Sequence, residues 1–522
     1  MAKPLQPASI VAPGFFGLNT QESGVTLEAG FALQADNCVI DKYGRLGSRK
    51  GWAYRTTQLG GVNDANNGVN LLGTHISIDL AGVKKNLSWN ATTFHKGFSN
   101  LEVITPSTTD TISTGNWTAA SLNDRTYFFQ LGYKPLVYTN ESTTDEFKSI
   151  DTFTGYDGTP PQANIVMSAY GRLWAADTNS NKTVVYFSDL LDGSKWGSGS
   201  AGQLNIAGTF SKNSDVITGL GAHNGFLVVF CKNSIMLFQD KDSFEASFDV
   251  TTLSLVETIE GVGCISHNTI QNLGDDIMFL SSTGVRSLGR TIQEKSQPLR
   301  DLSKNIRDDL ITLVENEGTD TNIKAVYCPN FAFYLLYFPS ASVVYAFDTK
   351  TPLQDGALRI TKWLGITHTN FIYDADERKL LFCQANGLAE YFGSQDNGSA
   401  FNFKYYTNYF DLGNSNITKI AKRLSVTLIA PNNQTFVTKL GFDYSSKYFS
   451  YPYVIEGEGT PYYYGEDEYT VAEYTGGISI RTVSNSVGGS GTVIQGGFEA
   501  EVNGAPLSIQ RLDVFIKSGR TQ

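Results

Sequence analysis

Between about residue 70 and about residue 395, apolar and polar positions repeat one pattern at a spacing of roughly 50 residues, the period range of propeller-type repeats. A short apolar strand is followed by a polar or glycine turn and a second apolar strand. The pattern runs from Thr74 to Phe94, from Arg125 to Tyr138, and from Arg172-Leu-Trp-Ala-Ala to Thr183-Val-Val-Tyr-Phe187. It returns at Gly225 to Phe238, Asp276 to Leu288, Phe331 to Phe347 and Lys379 to Tyr391. Each instance predicts a β-hairpin whose first strand is buried.

A lone hairpin is marginal in water, so repeated hairpins must stack their apolar faces. Radial repetition does this and leaves only short edges exposed. The pattern predicts an all-β chain built on a β-propeller of six or seven blades; a two-sheet sandwich or a string of small β-domains is the alternative. Asp301 to Glu315 departs from the pattern: Leu302, Ile306, Leu310 and Leu313 recur at helical spacing and predict one short amphipathic helix packed on the β body.

After Gly393 the run Ser-Gln-Asp-Asn-Gly-Ser reads as a linker. Alternation resumes in Leu424-Ser-Val-Thr-Leu-Ile and in Gly477-Ile-Ser-Ile-Arg-Thr-Val, predicting an additional C-terminal β-sandwich-like domain. The divisions expected are 1–69 for an N-terminal docking segment and the start of the β body, 70–395 for the propeller, and 396–522 for the C-terminal domain. Within the last lies a Tyr-rich and acidic insertion, 444–474, with little aliphatic content for a core of its own. It is either a solvated loop or part of a partner surface, where Tyr is favoured.

Composition narrows the function classes. Charged residues make up only 17%, aromatics 12%, and the formal net charge is −11. No basic run exists, so a surface that grips nucleic acid through phosphate contacts is excluded. An acidic wall still lets a duplex slide past it. Cys38, Cys231, Cys264, Cys328 and Cys383 are scattered and odd in number, which argues against a disulfide framework or a zinc site and for small core hydrophobes. The start, Met-Ala-Lys-Pro-Leu-Gln-Pro, lacks a secretory pattern, and no apolar run is long enough to span a membrane. Synthesis and assembly in the host cytoplasm are expected.

Motifs for chemistry are missing: no G-x-S-x-G elbow, no H-E-x-x-H and no P-loop occur. His75, His95, His223, His267 and His368 lie far apart and read as structural. Ser188 to Trp196 resembles the Asp-box turn of sialidase-type propellers, which is structural there too, and no arginine and carboxylate cluster accompanies it. Gly261-Val-Gly-Cys reads as a turn, and Asn63 to Gly68 lacks the closing Glu of a calcium loop. No enzyme, no metal and no cofactor is expected.

Pro13-Gly14-Phe-Phe-Gly17-Leu-Asn19, then Ala35 to Asp41, the turn at Gly44 and Arg49-Lys50-Gly51-Trp52, resemble the opening of tail hub and nozzle (tail tubular) proteins of short-tailed bacteriophages. Tyr170 to Trp174, Tyr186 to Asp189, Phe226 to Phe238, Gly261 to Ile265, Asp276 to Ser281 and the closing Leu507 to Lys517 follow that family's order of elements. The resemblance implies a structural virion protein: one subunit of a ring, typically six-fold, below the adaptor ring. That ring would form the distal tail channel for DNA ejection and anchor fibre, spike or needle proteins, with DNA passing unbound. On this reading Asn37, Asp41, Gly44, Arg49, Lys50 and Trp52 are candidates for the adaptor or subunit interface. Tyr451, Tyr453, Tyr462, Tyr463, Tyr464, Glu466, Glu468 and Tyr469 are candidates for tail-tip or partner contacts. Deletion of residues 1–52 is expected to abolish adaptor attachment while leaving a folded propeller. The other functional classes are a carbohydrate-binding propeller or receptor-binding protein and, behind it, a glycosidase.

Overall fold

The computed structural model describes residues 5–521, apart from 42, 57, 60–69, 80, 109–115, 140–144, 211–214, 241–248, 294–300, 415, 430–433 and 456–479. Among the described residues six blades form a β-propeller, each with four strands, and Gln58–Leu59 adds a fifth, parallel strand to the first. The first four are strands Gly73–Ile78 to Asn100–Ile104, Thr118–Leu122 to Glu146–Ser149, Ala163–Ala169 to Gly202–Asn205, and Ile217–His223 to Leu253–Glu260. A three-stranded sheet, Gln271–Asn272, Ile277–Ser281 and Gly284–Ser287, comes next in the ring. The fifth blade runs from Lys324–Cys328 to Arg359–Leu364. The sixth contains Asn370–Asp374, Lys379–Gln384 and Gly387–Tyr391.

The ring is closed by packing of each sheet on the next. Leu87, Trp89 and Phe94 of the first blade share a buried cluster with Phe128, Tyr138 and Phe147 of the second. Trp174 and Phe187 of the third pack with Leu227, Val229 and Met236 of the fourth. Leu101 of the first meets Leu381 and Leu388 of the sixth, which brings the circle back to its start. Hairpin turns take positive φ where the strand twist requires it: Tyr170-Gly171 has φ of 53° and 69°, and Asn224-Gly225 has 49° and 79°.

The sixth blade takes its outer strand from the other side of the chain. Trp52–Tyr54 pairs antiparallel with Gly387–Tyr391, so the residues preceding the ring fasten its last blade. An ion-pair network reinforces the seam: Lys84 of the first blade reaches Asp374 at 2.6 Å and Glu377 at 3.1 Å, and Glu377 also holds Arg55 at 2.9 Å.

Both ends of the described chain build the second unit, a sandwich. One sheet contains Ile480–Ser486, Ile417–Ile429 and Ser508–Thr521, with Gln6–Val11 and the hairpin Cys38–Ile40/Leu46–Ser48 beside Ser508–Thr521. The other runs Phe31–Asp36, Phe401–Phe410, Ile494–Val502, Thr435–Phe442, Phe449–Val454. It continues through Gly17–Leu18 into Arg359–Leu364 of the fifth blade, so propeller and sandwich share one ten-stranded sheet. One buried cluster unites Phe403, Phe498 and Val514 of the sandwich with Tyr334 and Phe347 of the fifth blade.

This placement corrects the expectation that residues 1–52 can be removed to leave an intact propeller. They supply central strands of the sandwich and the start of the strand that closes the ring. The helical spacing at 301–315 appears as a 3₁₀ turn, Lys304–Ile306, leading into an α-helix, Arg307–Asn316. Leu302, Ile306 and Leu310 are buried beneath it.

Candidate functional site

At the junction of ring and sandwich, the sequence candidates come together as an internal knot. Arg49 is 1% exposed and uses all five of its N–H donors. Nε donates to Asn37 Oδ1 at 2.9 Å, Nη1 to the Lys50 carbonyl and Asp396 Oδ1, both at 2.8 Å, and Nη2 to the Leu364 carbonyl at 3.1 Å and Asp396 Oδ2 at 2.6 Å. The guanidinium also lies 4.0 Å from the Phe401 ring centroid. Asn37, in the left-handed region at φ 56°, accepts from the Leu364 N–H and donates to the Asn402 carbonyl. Fifth blade, linker and sandwich are thereby tied at one point.

Buried and fully bonded within one chain, Asn37 and Arg49 cannot present an adaptor or subunit surface, which corrects that reading of them. Asp41 and Gly44 shape the turn of the 38–48 hairpin. Asp41 accepts from the Tyr43 and Arg45 N–H groups, and Gly44 has φ 71° where a Cβ would meet Pro13 at 2.4 Å. Trp52 is half-buried against Tyr54 in the closing strand. Of these six residues only Lys50 is exposed, its ammonium 4.8 Å from the Phe331 ring. A buried Arg with its acid 347 residues away reads, in sequence, like any basic surface pair.

The partner-contact candidates divide. Tyr462, Tyr463, Tyr464, Glu466, Glu468 and Tyr469 lie outside the described residues. Tyr451 and Tyr453 sit on Phe449–Val454, the edge strand of the ten-stranded sheet, with Phe449 52%, Tyr453 37% and Val454 51% exposed. Ile480, at the start of the edge strand of the opposing sheet, is 66% exposed. These apolar side chains lie exposed along the edges of the two sheets.

The propeller axis holds a second feature that the sequence reading missed. Asn70, Asn116, Asn164, Asn268 and Asn322 stand at or just ahead of the innermost strands of five different sheets and line two cavities of about 490 and 270 Å³ that share Asn116. The signal was there to find: in four of them the residue after the Asn is apolar and buried (Leu71, Trp117, Ile165, Ile323). A cavity of this size suits a small ligand, not a duplex.

The Asp-box-like turn is structural. Ser188 Oγ accepts from the Leu173 N–H at 3.0 Å, Asp192 accepts from Ser194, and Trp196 donates to the Gly193 carbonyl and packs on Phe129. Among the described residues no cluster of His, Cys, Asp or Glu has metal-binding geometry, and no helix is long and apolar enough to cross a membrane. All five cysteines are buried free thiols.

Two buried histidines set an acid response. Burial holds His95 down at about 4 and His368 at about 3, below the ordinary 6.5. The unfolded chain therefore binds their protons first, and stability falls as pH drops from about 6.5 toward 4. Glu377, held at about 2 by Arg55 and Lys84, adds a further loss below its ordinary 4.5. The urea midpoint is expected to be lower at pH 5 than at pH 7; an unchanged or higher midpoint contradicts the assignment.

Comparison with known proteins bears on the ring. Residues 108–362, from ahead of the second blade through nearly all of the fifth, match the family model described as "Bacteriophage P22 Gp10, beta-propeller". The match supports a bacteriophage structural protein, a component of the virion. No curated protein matches the chain. Among solved structures, the chain is similar to one titled "Crystal Structure of Mitotic Checkpoint Complex", at 8% identity and TM-score 0.33, covering 63% of this chain and 90% of that one. It is also similar to one titled "YCF48 bound to D1 peptide", at 10% identity and TM-score 0.35, covering 66% and 97%.

Proposed function

We propose that this chain is one subunit of a ring-shaped tail hub or nozzle, of six copies, that extends a phage's tail channel below its adaptor and anchors fibre, spike or needle proteins. The family match across the second to fifth blades carries the reading. The fold agrees with a mechanical role. A propeller seamed by its own preceding strand and fused to a sandwich through one continuous sheet makes a stiff wall element. Its axial cavities are too small for a duplex, so in this proposal DNA runs between subunits. A net charge of −11 disfavours holding the phosphates that pass.

The apolar sandwich edge is the surface proposed for subunit or tail-tip contact. Replacing both Phe449 and Tyr453 by Ser removes their ring contacts with Phe442 and Phe436 and is expected to cost the chain about 1–3 kcal/mol while leaving it folded. It is expected to weaken assembly about tenfold or more, as loss of central aromatic contacts does. Light scattering across a concentration series reads both species; unaltered assembly removes this edge from the interface. Native mass measurement of the wild-type chain tests the ring itself: six-fold masses support it, and a monomer at every concentration opposes it.

A further inference from the structure

We propose that the outer face of the ten-stranded sheet carries a binding site for a neutral saccharide, whose sugar rings stack on Tyr444, Tyr409 and Tyr448.

Alternation along the strands separates the two faces of this sheet. Tyr405, Phe498 and Leu440 belong to the sandwich core, while Tyr406, Gly497 and Lys439 stand in register across three strands on the opposite side. Four tyrosines gather on that outer side. Tyr406 and Tyr448 meet edge to face with centroids 5.1 Å apart, and Tyr409 and Tyr444 lie 4.7 Å apart. Hydroxyls link them: Tyr409 bonds to Tyr448, which donates to Gln495 Oε1 at 2.7 Å.

Glycines make room for the rings. A Cβ at Gly497 would stand 2.6 Å from the Tyr406 ring, one at Gly441 2.8 Å from the Tyr448 ring, and one at Gly24 2.9 Å from the Tyr409 ring. Three rings thus rest directly against glycine backbone. Tyr444, 55% exposed, is held in the open at a cost. It forms a two-residue turn with Asp443, at φ 48° and 59°, closed by the Ser445 N–H on the Phe442 carbonyl at 2.9 Å. Such a turn favours Asn-Gly and disfavours a bulky side chain at its second position. Packing gives little in return, since the Tyr444 ring meets one other ring, that of Tyr409. An exposed aromatic kept where glycine fits better points to a ligand.

The surroundings select its class. A pyranose turns one side of C–H groups to the electron-rich face of an aromatic ring and offers a rim of hydroxyls to polar neighbours. The acids beside the rings are engaged already. Glu499 accepts from the Tyr406 hydroxyl at 2.5 Å and pairs with the Lys439 ammonium at 3.4 Å, and Asp443 accepts from the Thr492 and Val493 N–H groups. With these groups taken, the face suits an uncharged ligand.

The test is an array of neutral and acidic glycans probed with the full chain, followed by titration calorimetry of the best neutral glycan against wild type, Tyr444→Gly and Tyr444→Phe. At least one neutral glycan should bind saturably. Tyr444→Gly should weaken it about tenfold or more, and Tyr444→Phe, which keeps the ring, by less than about threefold. Tyr444→Gly relieves the turn as it loses the Tyr409 contact, so its unliganded Tm should stay within about 2 °C of wild type. No neutral glycan bound, or equal binding by Tyr444→Gly, overturns the proposal. A response confined to acidic glycans overturns the neutral class, and a Tyr444→Gly chain unfolding well below wild type makes the ring a packing element and overturns the site.

Discussion

Replacing Asp396 by Ala is expected to destabilise the chain by about 3–5 kcal/mol, the range for removing one partner of a buried ion pair. Arg49 would keep its charge with two of its five donors unmet, in a site where its side chain has no exposure at all. The loss should be felt in both units, because the same guanidinium holds Leu364 of the fifth blade, Asn37 and, through Phe401, the first strand of the sandwich face. Arg49→Lys should not substitute: a three-donor ammonium cannot reach five acceptors arranged around a planar fork. A double replacement, Arg49→Met with Asp396→Leu, leaves no orphan charge and should recover a good part of the loss. Urea unfolding followed by tryptophan fluorescence measures all three variants. A cost below about 1 kcal/mol for Asp396→Ala would mean that the knot is a surface pair in effect, with stability in the range of exposed bridges.

The second large effect is expected from deleting residues 1–56. The deletion takes away Gln6–Val11, Phe31–Asp36 and the closing strand Trp52–Tyr54, and so strips Ser508–Thr521, Phe401–Phe410 and Gly387–Tyr391 of neighbours. It also uncovers the core that Phe15, Leu18, Ala32, Cys38 and Leu46 now fill. The truncated chain should be insoluble or should lose its cooperative unfolding transition. Near-UV circular dichroism and sedimentation of the expressed fragment decide it. A soluble, cooperatively unfolding propeller from residues 57–522 would show that closure and sandwich are dispensable, against the continuous sheet described above.

The blades were readable because each carries its signal locally. Phe226–Cys231 and Ser234–Asp240 are apolar strands two residues apart, and the turn chemistry between successive strands is explicit in Asn224-Gly225. The three-stranded sheet at 271–287 explains why spacing alone left the number between six and seven: it occupies a repeat's length without a fourth strand. The role of the amino-terminal region was not readable, since Phe31–Asp36 finds its partners at Lys404–Thr407 and Trp52–Tyr54 at Ala389–Tyr391. Pairings across more than 300 residues leave no periodicity behind. Arg49 misled for a related reason: nothing near it in sequence reveals that its acid, Asp396, lies beyond the whole ring. The amides around the axis were written in plain view, one ahead of each of several inner strands, but they gain meaning only when the ring brings them together.

Electron microscopy of the purified chain mixed with the adaptor protein encoded in the same genome tests the tail-hub reading most directly. The account predicts six-fold rings on the adaptor, with an opening wide enough for a duplex bounded by several subunits and no density for DNA through any single propeller. Monomers that ignore the adaptor at every concentration would contradict it.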